Sequence, residues 1–295
     1  LEEATVCYRH ALQLKPDFAE VHTNLGDALL DQSEFEEAVQ CYRQALRFKP
    51  EYARAHGNLG MALGLQGHFE EALASQSQSL SLDPNNVGFK IKSALLLPVI
   101  MGLPPSIFES RRRVDKSLSQ LLQSDLQLHN PMKEVGETTF FLTYHGLNDC
   151  DLQVKLATLY QRACPSLLYV APHCHTPSPD LGTRKIRLGF ISSFFRDHTI
   201  GKVFRGIIAN LSKEQFRIYV FFPASSPRDN ISEFIQQHVD YSATLSTVLE
   251  EAHQQLAVHQ LDILCYPDIG MDPLTYFLAF ARLAPVQCVT WGHPD

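Results

Sequence analysis

Residues 17–50 read DFAEVHTNLGDALLDQSEFEEAVQCYRQALRFKP, and residues 51–84 follow the same plan as EYARAHGNLGMALGLQGHFEEALASQSQSLSLDP. Pro16, Pro50 and Pro84 lie 34 residues apart. Leu25 and Leu59, Gly26 and Gly60, Ala28 and Ala62, Phe35 and Phe69, and Ala38 and Ala72 keep the same interval, as do Tyr8 and Tyr42, and Ala11 and Ala45. A period of this length marks stacked two-helix units. Gly and Ala sit where two antiparallel helices touch, Leu and Tyr fill the gaps, and Pro closes the second helix because it lacks an N–H. The register makes residues 1–16 the second helix of a unit whose Leu-Gly half is absent, so the array is expected to begin in mid-unit.

This 34-residue pattern is similar to that of tetratricopeptide repeats, assigned here to residues 1–86. Asn24 and Asn58 share one repeat position. Two readings stand for them: amides that grip an extended peptide in the concave groove, or side chains simply tolerated on an exposed helix face. Residues 87–184 carry helical periodicity without the 34-residue repeat and end in the Pro-rich VAPHCHTPSPDLGTRK, a connector and linker,.

Composition narrows the classes. The 295 residues are 45% hydrophobic and 19% charged, as in globular domains,. The net charge of −7 offers no positive field to nucleic acid,. Arg111–Arg112–Arg113 is too short to change that and is expected to be a solvated helix face,. No apolar run approaches the roughly 18 residues of a membrane span, and LEEATVCYRH has no signal-peptide pattern,. The opening Leu1 predicts that the sequence is a segment of a longer chain. Seven cysteines, an odd number without a C-x-x-C pair, suit reduced thiols and a cytoplasmic setting,. His173–Cys174–His175 lacks a second ligand pair and reads as linker, so no metal site is expected,.

Residues 185–295 change character. Strands are predicted at 185–192, 216–223, 241–245, 261–267 and 286–292, and helices at 200–211, 231–237, 245–259 and 273–282,. Such alternation predicts a parallel sheet with helices on both faces, a Rossmann-like α/β lobe. No G-x-G-x-x-G, P-loop or G-x-S-x-G motif is present, so dinucleotide, P-loop and hydrolase sites have no support,. The first strand runs through GFISSFFRDHTIGK (189–202) and places His198 just before a helix, where α/β sheets gather reactive groups,. An imidazole there can take a proton or donate a hydrogen bond, and the helix N-terminus can receive an anion. At the other end, LAPVQCVTWGHPD (283–295) is a strand followed by a Gly292–His293–Pro294 turn; an ordinary turn is the bland alternative.

Together, the repeats, TYHG (143–146), IRLGFISSFFRDH (186–198) and RLAPVQCVTWGHP (282–294) resemble the O-linked N-acetylglucosamine transferase family, which joins tetratricopeptide repeats to a GT-B glycosyltransferase. The resemblance implies that residues 185–295 are the first half of a GT-B fold, with a second lobe beyond Asp295. It implies His198 as the active-site histidine beside the acceptor hydroxyl, and Gln287, Trp291, Gly292, His293 and Pro294 as the sugar pocket. Tyr241, with His238 nearby, falls about where the family carries a second histidine. His293 stands where better-known animal members carry Tyr, and with IGMDP (269–273) the pattern is nearer to bacterial relatives. Some of those glucosylate Asn, so an Asn-directed glucosyltransferase and a non-catalytic peptide-binding scaffold remain the alternatives. The implied reaction moves a sugar, foremost N-acetylglucosamine, from a UDP-sugar donor to Ser or Thr of protein substrates held in the repeat groove. No cofactor is implied, these residues alone are expected to be inactive, and homo-oligomerisation stays open.

Overall fold

The computed structural model describes residues 2–99, 104–175 and 184–290. It divides into two units, one formed by Leu1–Leu128 with Phe141–Leu156, the other by His129–Phe140 with Ala157–Asp295.

The first unit opens with helices α1 (Glu2–Leu14), α2 (Ala19–Asp31), α3 (Phe35–Phe48), α4 (Ala53–Leu65), α5 (Phe69–Leu82) and α6 (Val87–Leu95). Consecutive helices pack on one another, α2 on α3 and α4 on α5 most extensively. Gly26 explains its place in the pattern. A Cβ there would lie 2.6 Å from the Tyr42 ring, which is fully buried against it. Polar devices also recur at the period. His22 bonds the Pro16 carbonyl at 2.8 Å and His56 the Pro50 carbonyl at 2.9 Å, each tying a helix to the end of the one before. Arg9–Glu37 and Arg43–Glu71 pair across neighbouring units, on exposed faces where such pairs contribute little,.

The period persists further than the sequence showed. α2, α4 and α6 begin at Ala19, Ala53 and Val87, 34 residues apart. α6 therefore occupies the place of a first helix, with Ser93–Ala94 where the earlier units carry Leu-Gly. Losing that pair hid it from the pattern. The arginine cluster also differs from expectation. Along α7 (Pro104–Leu121), Arg111 pairs with buried Asp149, and Arg113 donates to the Ser93 and Leu96 carbonyls at the end of α6. Only Arg112 is the solvated residue expected, because the unpaired carbonyls of a helix end recruit a cation,.

The chain continues through α8 (Pro131–Glu134) and α9 (Cys150–Ala163). The second unit is built on a parallel sheet, with β1 (Ile186–Ile191), β2 (Phe216–Pro223), β3 (Tyr241–Leu245), β4 (Ile263–Tyr266) and β5 (Val286–Val289) in spatial order β3-β2-β1-β4-β5. Helices α10 (Thr199–Asn210), α11 (Asn230–Gln237), α12 (Leu249–Ala257) and α13 (Pro273–Leu278) connect them. β2 is buried along Ile218–Pro223, as a strand covered on both faces must be,. Phe190, Ile218, Val220 and Phe222 form one layer with Ile200, Phe204 and Ile208 of α10 and Ile231 and Ile235 of α11.

Candidate active site at the carboxyl edge of the sheet

β1 lies between β2 and β4. From β1 the chain crosses to β2 and β3 on one side, and later returns to β4 on the other. The gap between the carboxyl ends of β1 and β4 is therefore the topological switch point, where ligands of open α/β sheets bind. Ser192 and Ser193 leave β1 there, and Asp268 leaves β4.

Asp268 is fully buried and binds both serines: the Ser192 hydroxyl and the Ser193 N–H each donate to its Oδ2 at 3.1 Å. The Ser192 hydroxyl also accepts from the Phe194 N–H at 2.9 Å, which tightens the turn out of β1. Oδ1 of Asp268 is buried without a hydrogen-bond partner. Burial, and then the nearby Asp272 carboxyl, push Asp268 up to about 7. Burial raises Asp272 as well, opposed by the Thr275 N–H and the Ser193 hydroxyl. Two carboxyls with raised affinity for protons thus stand behind the turn that carries Phe194–His198.

His198 is the N-cap of α10. It is half-buried, its ring 4.6 Å from that of Phe194. Its Nδ1 accepts from the Ile200 N–H at 3.3 Å. Burial, with Arg196 and Lys202 nearby, lowers its proton affinity, so the ring is neutral at neutral pH,. A neutral ring that accepts at Nδ1 carries its proton on Nε2, and Nε2 has no hydrogen-bond partner among the described residues,. The free nitrogen is a donor. The turn fits because Gly201 has no side chain: a Cβ there would lie 2.1 Å from the Arg196 carbonyl oxygen and 2.8 Å from that of Phe194. Asp229, the N-cap of α11, accepts from the Asp197 N–H. Burial would raise it, yet this bond and those from Ser232 and Ile231 N–H hold it below its ordinary value. The carboxyl edge of the sheet thus carries two protonatable carboxyls at the switch point and, at the end of the turn out of β1, a neutral donor at the α10 N-terminus.

The other nominated residues lie elsewhere or outside the described residues. Gln287, on the edge strand β5, uses its Oε1 to accept from the Leu283 N–H at 2.6 Å and the Ala284 N–H at 3.4 Å, so its carbonyl shapes the approach to its own strand. Trp291, Gly292, His293 and Pro294 lie outside the described residues. Tyr241 is the first residue of β3, at the end away from the switch point, and His238 stacks on Phe234 and bonds its carbonyl. In the repeats, Asn24 Oδ1 accepts from Arg54 at 3.1 Å and Asn58 Nδ2 donates to Asp27 at 2.6 Å. Asp27 also receives Tyr42 OH and pairs with Arg54. No cluster able to hold a metal ion occurs among the described residues, and no described helix is long and apolar enough to cross a membrane.

Sequence reading missed Asp268 and Asp272 as site residues. The signal available was two acids bracketing Gly270 after an apolar strand, which reads as a turn until the sheet order sets it beside Ser192.

The class is shown first at the repeats. Residues 1–33 and 26–67 match the TPR repeat family, and residues 53–86 the Tetratricopeptide repeat family. The chain thus joins helical TPR repeats to an α/β unit with a five-stranded parallel sheet. Among solved structures, a lysine-to-methionine mutant of the Thermobaculum terrenum O-GlcNAc transferase aligns over 97% of this chain at 19% identity, with a TM-score of 0.63. At that identity the likeness is one of fold. The chain spans 46% of that structure's length. A structure from the functional characterization of Pseudomonas aeruginosa PilF covers 39% of this chain and 65% of its own at 26% identity, but its TM-score of 0.28 carries no argument. No curated protein matches the sequence.

Proposed function

We propose that this chain is the repeat region and first lobe of a GT-B protein glycosyltransferase. It moves a sugar, N-acetylglucosamine foremost, from a UDP-sugar to Ser or Thr hydroxyls of proteins held by the repeats. One observation carries the reading: repeats and parallel sheet follow one another in a single chain that aligns over 97% of its length with an O-GlcNAc transferase.

In the reaction the acceptor oxygen attacks the anomeric carbon, the diphosphate leaves, and the hydroxyl proton must find a base. His198 does not suit that base in its present tautomer, because its available nitrogen already bears a proton,. It suits a positioning role, with Nε2–H fixing the acceptor oxygen or a sugar oxygen. Gln287, Trp291, Gly292, His293 and Pro294 belong to the sugar pocket under this reading, and the uridine and diphosphate fall to a second lobe outside these 295 residues. Asn24 Nδ2 and Asn58 Oδ1, the halves of the amides not engaged with Arg54 and Asp27, face the peptide's backbone groups in this proposal. No cofactor is required beyond the UDP-sugar, and the seven free thiols suit a reducing, cytoplasmic setting,.

A label-transfer assay with radiolabelled UDP-N-acetylglucosamine tests this. The whole protein containing this chain labels Ser or Thr of a protein acceptor, and the 295 residues alone label nothing. Label on Asn would redirect the reading to the other acceptor class. Turnover by the 295 residues alone would place the donor site within them and overturn the two-lobe reading. A second reading, a peptide-binding scaffold, draws on the TPR matches at residues 1–86 and predicts peptide capture with no transfer by the whole protein.

A further inference from the structure

Cys265 and Cys288 are register partners on the adjacent strands β4 and β5. Paired residues of parallel strands send their side chains to the same face, and the strands lie about 4.7–4.9 Å apart. That spacing falls inside the roughly 4.4–6.8 Å between Cα atoms that a disulfide spans. Both thiols are reduced, the Cys288 thiol raises the proton affinity of Cys265, and Cys288 Sγ itself donates to the Leu264 carbonyl, the neighbour of Cys265, at 3.8 Å. We infer that Cys265 and Cys288 form a redox-modifiable pair, closed to a disulfide by a hydroperoxide and reopened by a small dithiol. The inference is independent of the sugar-transfer reading.

The two thiols are unequal, which orders the steps. Cys288 is exposed on the edge strand and meets the oxidant first. Cys265 is buried, and burial, the Cys288 thiol and the Asp268 carboxyl together push it up to about 12. It is protected from direct oxidation and acts as the resolving thiol. The Cys288 thiolate attacks the peroxide O–O bond, giving a sulfenic acid and releasing hydroxide, or an alkoxide from an organic peroxide. The Cys265 sulfur then attacks the sulfenic sulfur. The S–S bond forms, the S–O bond breaks, and the hydroxyl leaves as water with the Cys265 proton. Each sulfur gives up one electron and the peroxide takes two. β5 pairs with β4 alone among the described residues, so it has the freedom to bring the two sulfurs together. The bridge pins the edge strand to the strand that delivers Asp268 to the switch point.

Tryptic cleavage after Arg282 puts the two cysteines on separate peptides. The folded protein is treated with hydrogen peroxide, freed of peroxide, then denatured, alkylated, digested and mapped by mass spectrometry, with exposed Cys7 and Cys150 as internal controls. The expected result is a peptide pair linked through Cys265 and Cys288, lighter than the two thiol peptides by two hydrogens and released by dithiothreitol. It is absent from both Cys288→Ser and Cys265→Ala. The result that overturns the inference is a Cys265 that stays fully alkylatable while Cys7, Cys150 or Cys288 oxidises. This mapping on the unmutated protein decides the matter even where a variant fails to fold.

Discussion

The repeat array and the mouth of the sheet handle polar groups at packed surfaces in opposite ways. In the array, Asp27 collects the Tyr42 hydroxyl, the Asn58 amide and Arg54, so a polar group facing the packed helices is answered by its neighbours. At the mouth, Asp268 is fully buried, keeps one oxygen unpartnered and is raised to about 7 by burial and by Asp272, itself a raised carboxyl, while the turn out of β1 ends on a histidine held neutral. Groups whose protonation is moved toward neutrality gather at functional sites, whereas satisfied networks hold a scaffold. The array has one lapse. Gln76 stands where Tyr42 stands one unit earlier and Met61 where Asp27 stands, and neither amide atom of buried Gln76 has a partner.

The largest effect expected from a single change is at the turn carrying His198. Gly201→Ala sets a Cβ against fixed backbone at 2.1 Å and costs about 3 kcal/mol or more in chemical denaturation,. Gly206→Ala on the same helix meets nothing within 4 Å and should gain about 1 kcal/mol,. Equal effects at the two positions would break the claim that the mouth is the constrained region.

The next effect is a pH dependence. Asp268 holds its proton more tightly folded (about 7) than unfolded (roughly 3.9), so the folded state binds more protons between those values,. Its contribution to stability therefore falls as pH rises from about 4 to about 7, and the full penalty applies above that. Asp268→Asn, which cannot ionise, should flatten this slope in denaturation curves taken across the window. An unchanged slope would show that the mouth is no more perturbed than the array.

The smallest effect sharpens the other side of the comparison. Gln76→Leu, which removes two unsatisfied atoms, should gain about 1 kcal/mol, and Tyr42→Phe, which removes a satisfied hydroxyl, should lose about 1 kcal/mol,. Opposite signs in thermal denaturation are the expected outcome; a shared sign would remove the distinction between satisfied and unsatisfied polar groups within the array.

Much of the architecture was legible in the residues because two periods speak for themselves. The 34-residue interval placed the helical hairpins, and the apolar runs placed all five strands, with β3 at Tyr241–Leu245 as expected. The helix beginning at Thr199 was expected at Ile200, since capping blurs such ends,. α6 escaped because Ser93–Ala94 replaced the marker pair. At the site, His198 was conspicuous as a lone ring ahead of a helix, whereas Asp268 was not. Its partners Ser192 and Ser193 are more than 70 residues away in sequence, and only the order β1 beside β4 brings them together. The tautomer of His198 was also hidden, because it follows from the Ile200 N–H and not from the residue type.

The central claim is that the mouth of the sheet serves sugar transfer, with His198 positioning an acceptor. The most direct test is His198→Ala in the whole protein that contains this chain, with label transfer and UDP affinity measured side by side. The expected result is a loss of turnover of about 100-fold or more with UDP affinity changed by less than about 2-fold. Equal losses in both would assign the ring to the donor, and unchanged turnover would remove this mouth from the chemistry.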